Sequence, residues 1–139
     1  MNNIDQLRQL MTLDADINTP EIELRFEQIA KMLFESFAIQ KGEKKYLFKE
    51  IEFYFYNKNH RDIITHPRVS KPLCWYVNDF GGIDLNFASN IKRESIAKSK
   101  GKTVEKYVLD NSAYFGGILI RQLVEKESGA VCVARELEE

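Results

Sequence analysis

Cysteine is scarce: the 139 residues hold two, Cys74 and Cys132. They lie far apart and without the spacing of a metal site. This argues against a disulfide framework or a zinc pair and leaves two buried, reduced thiols as the expectation. No metal and no cofactor is expected. No apolar run approaches the ~18 residues of a membrane-spanning helix, and no leader with a basic start and an apolar core opens the chain. A cytoplasmic protein without a membrane partner is therefore expected. An excess of charge of one sign is missing too. The net charge of −1 argues against an overall basic nucleic-acid binder and leaves room only for a local basic patch. No repeat or low-complexity segment occurs.

What remains is the composition of an ordinary globular protein, 44% hydrophobic and 29% charged, long enough to bury a real core in one domain spanning residues 1–139. Nine Phe and six Tyr supply planar surfaces in quantity. The spacing of Ile4, Leu7, Leu10 and Met11 predicts a short amphipathic helix, and residues 1–19 form a lead-in. Thr19 before Pro20 reads as an N-cap with proline at the first helical position. Ile22, Phe26, Ile29, Leu33 and Phe37 then recur at helical steps, which predicts a helix over 20–37.

The stretch KEIEFYFYNKNHRDIITHP, residues 49–67, is the most informative. Strand side chains alternate between faces, so Ile51, Phe53 and Phe55 point one way and Glu50, Glu52, Tyr54 and Tyr56 the other. The first set is a core face. The second places carboxylates and phenols together, with His60, Asp62 and His66 shortly after. A flat polar ligand would be met by such a face. A solvated sheet face with cross-strand Glu and Tyr pairs would have the same pattern.

Further strands are predicted over 73–77 and 83–87, joined at a turn over 78–82 where Gly81 and Gly82 permit a tight reversal. Residues 89–112 form a basic excursion with Lys92, Arg93, Lys98, Lys100, Lys102 and Lys106. It is expected to be mobile or an exposed helix, either plain solvated surface or an arm whose Lys98, Lys100 and Lys102 contact phosphates. YFGGILIRQLV, residues 114–124, predicts a central strand. Arg121 interrupts its apolar run, and a buried or half-buried arginine there needs an anion or a hydrogen-bonding partner. Residues 130–138 read as helix or strand, and the RELEE ending favours helix. The expected class is α+β: a curved, mostly antiparallel sheet with the amphipathic helix packed on its apolar face.

Taken in order, EIEFY, the His66 that follows, the hairpin carrying Asn86, and GGILIRQL resemble the 3-methyladenine (alkyladenine) DNA glycosylases. The helix FEQIAKMLFESFAI is similar to theirs as well, and the resemblance runs from about Arg25 to Leu123. It implies that Glu52 is the carboxylate that activates water, that Tyr54 stacks on a flipped base, and that His66 stands beside base and sugar. It further implies Asn86 in the pocket floor, Arg121 near the water and the carboxylate, and Tyr76 or Trp75 as an opposing stacking partner. The family's wedging tyrosine has no direct match in this sequence, where Phe80 in the turn over 78–82 is the candidate substitute. The segment from Pro67 to Pro72, with Arg68 and Lys71, is shorter and less basic than in the family, and the family continues past the point where this chain ends.

The resemblance thus implies a hydrolase that removes alkylated or deaminated purines from DNA. A binding module for a nucleotide or single-stranded nucleic acid, without cleavage, is the alternative on the same residues. An interaction protein docking a partner on the Tyr/Phe face is a third.

Overall fold

The structure is a computed structural model describing residues 2–77, 82–97 and 101–137. It opens with helix α1, Asn3–Leu10, capped by Asn2, whose Oδ1 accepts from the Asp5 N–H at 2.8 Å. Helix α2 spans Thr19–Ser36. Its cap is Asn18, not Thr19: the Asn18 Oδ1 accepts from the Glu21 N–H at 3.0 Å. The Thr19 hydroxyl is engaged elsewhere, donating to the Asn59 carbonyl and meeting His60 Nδ1, both at 3.1 Å. An asparagine amide is at least as good a cap as a threonine hydroxyl.

A hairpin of β1 (Ala38–Lys41) and β2 (Lys44–Asn57) follows. Gly42 supplies the positive φ of 62° that its turn requires. The short β3 (His60–Arg61) folds back on the end of β2. Then come the paired strands β4 (Cys74–Val77) and β5 (Ile83–Asn86), the separate hairpin β6 (Lys92–Ala97) with β7 (Thr103–Val108), the long β8 (Phe115–Glu125), and β9 (Val131–Val133). The chain then enters a short 3-10 turn, Ala134–Leu137. The main sheet is a curled antiparallel half-barrel in the order β1-β2-β8-β5-β4, with β3 on β2 and β9 on β8. The two helices complete the α+β class. Among the described residues no helix is long and apolar enough to cross a membrane.

The alternation read from the sequence holds. Phe55, Leu85, Phe87, Ile118, Ile120 and Leu123 are buried on one face under Ile22, Ile29 and Leu33 of α2. Phe26 of α2 stacks on Phe53, with ring centroids 4.7 Å apart. Leu7 and Met11 from the α1 segment join the same core. Phe48 belongs to it as well, although strict alternation from Ile51 would turn it outward. Between Phe48 and Ile51 the β2–β8 register shifts twice, and Lys49 and Arg121 are left without a partner in the ladder. That irregularity resets the phase and keeps both halves of β2 facing the core.

Two expectations fail. Over its described part the basic excursion is not a helix but the β6–β7 hairpin, which pairs only with itself. Its residues alternate with Ile96 opposite Val104 and Arg93 opposite Tyr107, β-forming pairs that the count of lysines obscured. The expected helix over 130–138 is instead β9, which extends the free edge of β8, followed by the 3-10 turn. Val131 and Val133 favour strand, and the helix-forming residues come too late to recruit them.

The two glycines of β8 have separate tasks. A Cβ on Gly116 would lie 2.2 Å from the Tyr54 carbonyl oxygen and 2.8 Å from the Phe55 Cα. Backbone cannot yield as a side chain can. Gly116→Ala is therefore expected to destabilise the protein by about 1–3 kcal/mol, the usual scale for overpacking, as measured by urea unfolding. A neutral result would show that the two strands do not approach as described.

Candidate functional site

The other face of the sheet is built in rows. Across the strands, Glu52 pairs with Leu119, Leu119 with Asp84, and Asp84 with Tyr76. In the next row Tyr54 pairs with Gly117, Gly117 with Asn86, and Asn86 with Cys74. In the row beyond, Tyr56 stacks on Phe115 at 5.0 Å. Alternation puts all of these side chains on the face away from the helices.

The segment after β3 crosses this face and is pinned there by Arg68. Its guanidinium donates to Asp84 Oδ2 at 2.7 Å and to Asn86 Oδ1 at 3.1 Å, and its Nε donates to the His66 carbonyl at 3.0 Å. It also lies 4.4 Å from the centre of the Tyr76 ring. The position of Gly117 explains why it is glycine, since a Cβ there would come within 2.8 Å of the Arg68 Nη1. Arg68 and Asp84 are each only 5% exposed. A buried pair of this kind is weak evidence of net stabilisation, but removing one partner strands the other charge.

Between this segment and the sheet lies a cavity of about 390 Å³, within the usual range for small-molecule sites. Tyr54 and Leu119 line it from the sheet, and Thr65 and His66 from the crossing segment. The Arg68–Asp84 pair closes one end, and Ile63 and Ile64 stand at its edge.

Glu52 sits one strand position pair away from Tyr54, at the margin of this cavity. Arg121 donates to it through Nε at 2.6 Å and through Nη2. Glu50 lies 4.0 Å from the same arginine. Alternation from the buried Ile118 and Ile120 puts Arg121 on the face of Leu119, the cross-strand partner of Glu52, and so toward the two carboxylates. The Glu52 carboxyl is held below the usual glutamate range, chiefly by a hydrogen bond from the Tyr54 hydroxyl and next by Arg121, with partial burial opposing both. Tyr54 is pushed up from the ordinary phenol value by burial and then by Glu52. Glu52 is therefore an anion through the neutral range, suited to holding positive charge or orienting water rather than donating a proton. The Glu52 and Arg121 side chains are 40% and 47% exposed, so the pair adds at most about 1 kcal/mol to stability.

The structure sorts the residues expected from the sequence. Tyr54 and His66 line one cavity, and Glu52 and Arg121 stand together at its edge. Asn86 is buried beneath Arg68 and serves as its acceptor. Tyr76 is on the correct face, but Arg68 covers its ring. Trp75 is a correction: it alternates onto the opposite face and stands 56% exposed near Leu33, Phe37 and Leu85. Arg121 is exposed rather than buried or half-buried. Lys102 is exposed beside the β6–β7 hairpin, while Phe80, Lys98 and Lys100 lie outside the described residues. Hairpin cations are partly spoken for, with Arg93 at 3.5 Å from Glu105 and Lys92 at 3.5 Å from Asp110. Both cysteines are thiols, but Cys74 is exposed and Cys132 half-buried, not fully buried as expected. Among the described residues no cluster of His, Cys, Asp and Glu could hold a metal.

Asp84 and Thr65 were not anticipated. A signal for Asp84 was present in the string IDLNF, where Asp84 and Asn86 alternate with Ile83, Leu85 and Phe87. Thr65 carried none. Comparison of the chain with protein-family models, with curated proteins and with solved structures returned no match.

Two outcomes are expected. Asp84→Asn leaves the buried Arg68 without its counter-charge and should cost about 3–5 kcal/mol in chemical denaturation; a loss under 1 kcal/mol would show that Arg68 is solvated. The carbon-13 titration of the Glu52 carboxyl should have its midpoint below the ordinary glutamate value, and Tyr54→Phe should move that midpoint up. A depressed carboxyl contributes stability above its unfolded value and loses it as pH falls through the folded one. The small stability gap between wild type and Glu52→Gln should therefore close in acid.

Proposed function

We propose that the protein is a nucleobase-recognising N-glycosidase of the alkyladenine-glycosylase kind, hydrolysing the bond between sugar and an alkylated or deaminated purine in DNA. One observation carries the reading: an accessible carboxylate, Glu52, kept ionised by Tyr54 and Arg121 on the strand face that leads into a cavity walled by the Tyr54 ring. The likeness of residues 25–123 to that family agrees with this placement. It extends the proposal to the fold, in which the curled sheet would hold the extruded base on its polar face.

The chemistry asks for little more. When the bond between C1′ and the base nitrogen breaks, its electron pair leaves with the base and the sugar becomes an oxocarbenium-like cation. A fixed anion beside the sugar stabilises that charge, and the water that adds to C1′ loses its proton by way of Glu52 to solvent. A cationic alkylated purine departs neutral, so no strong acid is required, and His66 at the cavity wall orients rather than protonates. Stacking on Tyr54 would hold the extruded ring. The arginines of the site, Arg68 and Arg121, are both committed to carboxylates, which suits a neutral or cationic ring better than a phosphate. Backbone phosphates would be met by the exposed cations of the β6–β7 hairpin.

The second reading, a module that binds a nucleotide or single strand without cleaving it, is favoured by two details. Glu52 stands at the margin of the cavity rather than in its lining, and Arg68 covers the Tyr76 ring.

Base-release assays on oligonucleotides carrying hypoxanthine, ethenoadenine or 3-methyladenine separate the two. Glu52→Gln should keep the fold and the affinity and lose turnover by about 10²–10⁴-fold. Tyr54→Ala should weaken binding by roughly 1–3 kcal/mol through lost stacking. A wild type that binds these strands and releases no base is the binding module.

A further inference from the structure

Two rows of apolar side chains cross the helix-side face of the sheet and extend beyond the helix that covers them. One runs Phe53, Ile118, Leu85, Trp75, and the next Ile51, Ile120, Ile83, Val77. Ile118, Ile120 and Leu85 are buried, yet on the edge strand β4 Trp75 is 56% and Val77 61% exposed. Strand β1, the opposite edge of the main sheet, borders the same region. Between the two edges lies a groove in two parts, both lined by Ile39, Gln40 and Trp75. The part beside α1 has about 300 Å³ and the part beside the 3-10 turn about 320 Å³, each within the usual range for small-molecule sites. Contiguous exposed apolar surface marks a place of contact with another molecule.

The backbone at one wall is strained. Leu73 has a φ of 65° and is, among the described residues, the single non-glycine with a positive φ. A bulky side chain rarely adopts this region. The Leu73 N–H donates to the Asn86 carbonyl at 2.8 Å, and the side chain lines the groove with Trp75. Strain of this kind persists only where the surroundings impose it, and it gathers at ligand clamps.

The charged residues that line the groove are Arg8 and Lys41, both cations. The Lys41 ammonium is engaged, donating to the Leu137 carbonyl at 2.5 Å. Arg8 meets Asp5 at 3.2 Å within α1, with both side chains exposed. An exposed pair of this kind contributes little, so a second carboxylate can replace Asp5 at small cost. The guanidinium fork matches carboxylate geometry.

We infer that this groove binds a single-chain amphiphile with a carboxylate head, such as a fatty acid, with the chain along Trp75 and Ile39 and the head on Arg8. The site lies on the opposite face of the sheet from the Tyr54 cavity and does not depend on the nucleobase reading. A cationic head of the same chain length gains nothing from Arg8.

Trp75 is the one tryptophan of the chain, so its emission reports on the groove directly. Laurate, kept below its micelle concentration, should shift that emission to shorter wavelength and saturate. Dodecyltrimethylammonium, with the same chain and the opposite charge, should bind about tenfold more weakly, the worth of one charge-assisted contact. Arg8→Gln should weaken laurate binding about tenfold, with the cationic amphiphile bound no less tightly and the Tm unchanged. An emission that does not respond to laurate overturns the inference. So does equal affinity for the two heads, or laurate affinity untouched by Arg8→Gln, because the chain is then only partitioning onto apolar surface. A dimer in sedimentation velocity that Trp75→Ala dissociates and laurate does not would give the groove to a second copy of the chain, and would overturn it as well.

Discussion

Arg68 reaches from a segment with almost no regular structure into the polar face of a sheet, and what that face can do depends on the contact. Its partners Asp84 and Asn86 sit two apart on β5, one in each of the rows that also hold Glu52 and Tyr54. A guanidinium fork can bridge two such acceptors while a third donor fastens its own backbone through the His66 carbonyl. An ammonium would meet them only as a point charge. The fork ties residues 62–68 to the sheet and with them the cavity wall that carries Thr65 and His66. The ion pair need not stabilise the fold relative to a hydrophobic pair. Its effect is positional, and the absence of a side chain at Gly117 is the concession the sheet makes to it.

The second constraint lies in the β2–β8 ladder. A strand that must bury Phe48 and also Ile51, Phe53 and Phe55 cannot do so in strict alternation. The double register shift that resolves this conflict frees Arg121 from the ladder. The Arg121–Glu52 pair on the other face follows from alternation, since Arg121 shares the side of Leu119, the partner of Glu52. The pair is too exposed to matter much for stability. Its consequence is electrostatic: together with the Tyr54 hydroxyl it keeps Glu52 charged at the entrance to the cavity.

Features with a period were legible in the sequence. The α2 stripe, the two faces of β2 with Glu52 and Tyr54 on one of them, the β4–β5 hairpin and the centrality of β8 all follow from spacing, whereas the meeting of Arg121 with Glu52 was implied by the family resemblance. Features that depend on phase or on competing composition were not. Trp75 was assigned to the site because it adjoins Tyr76, yet one residue in a strand means the opposite face. The β6–β7 hairpin was hidden because its lysines outnumber its β-branched residues, although Val104 and Val108 share one face of β7 and Ile96 stands opposite Val104. Arg121 read as buried because the apolar run around it implied unbroken pairing, and a bulge leaves no compositional trace. Thr65 and Asp84 acquire meaning only when a non-repetitive segment is laid across the sheet, and nothing local encodes that crossing.

The distribution of charge then bears on what such a site would recognise. Both arginines on the polar face are matched to carboxylates within the protein, so the cavity presents little net field to an anion. Coulombic attraction to a phosphate there would have to break an existing pair, at a cost comparable to the gain. A planar ring with hydrogen-bonding edges needs no such exchange. It can lie against Tyr54, Ile63 and Ile64, which line the cavity. Six of the 20 lysines and arginines fall between Lys92 and Lys106, on a hairpin that does not pair with the main sheet, where attraction to a polyanion would be long-range and screened by salt. On the nucleobase reading proposed above, recognition of a base and attraction of its backbone would be served by different parts of the chain, and a net charge near zero would not weigh against that reading.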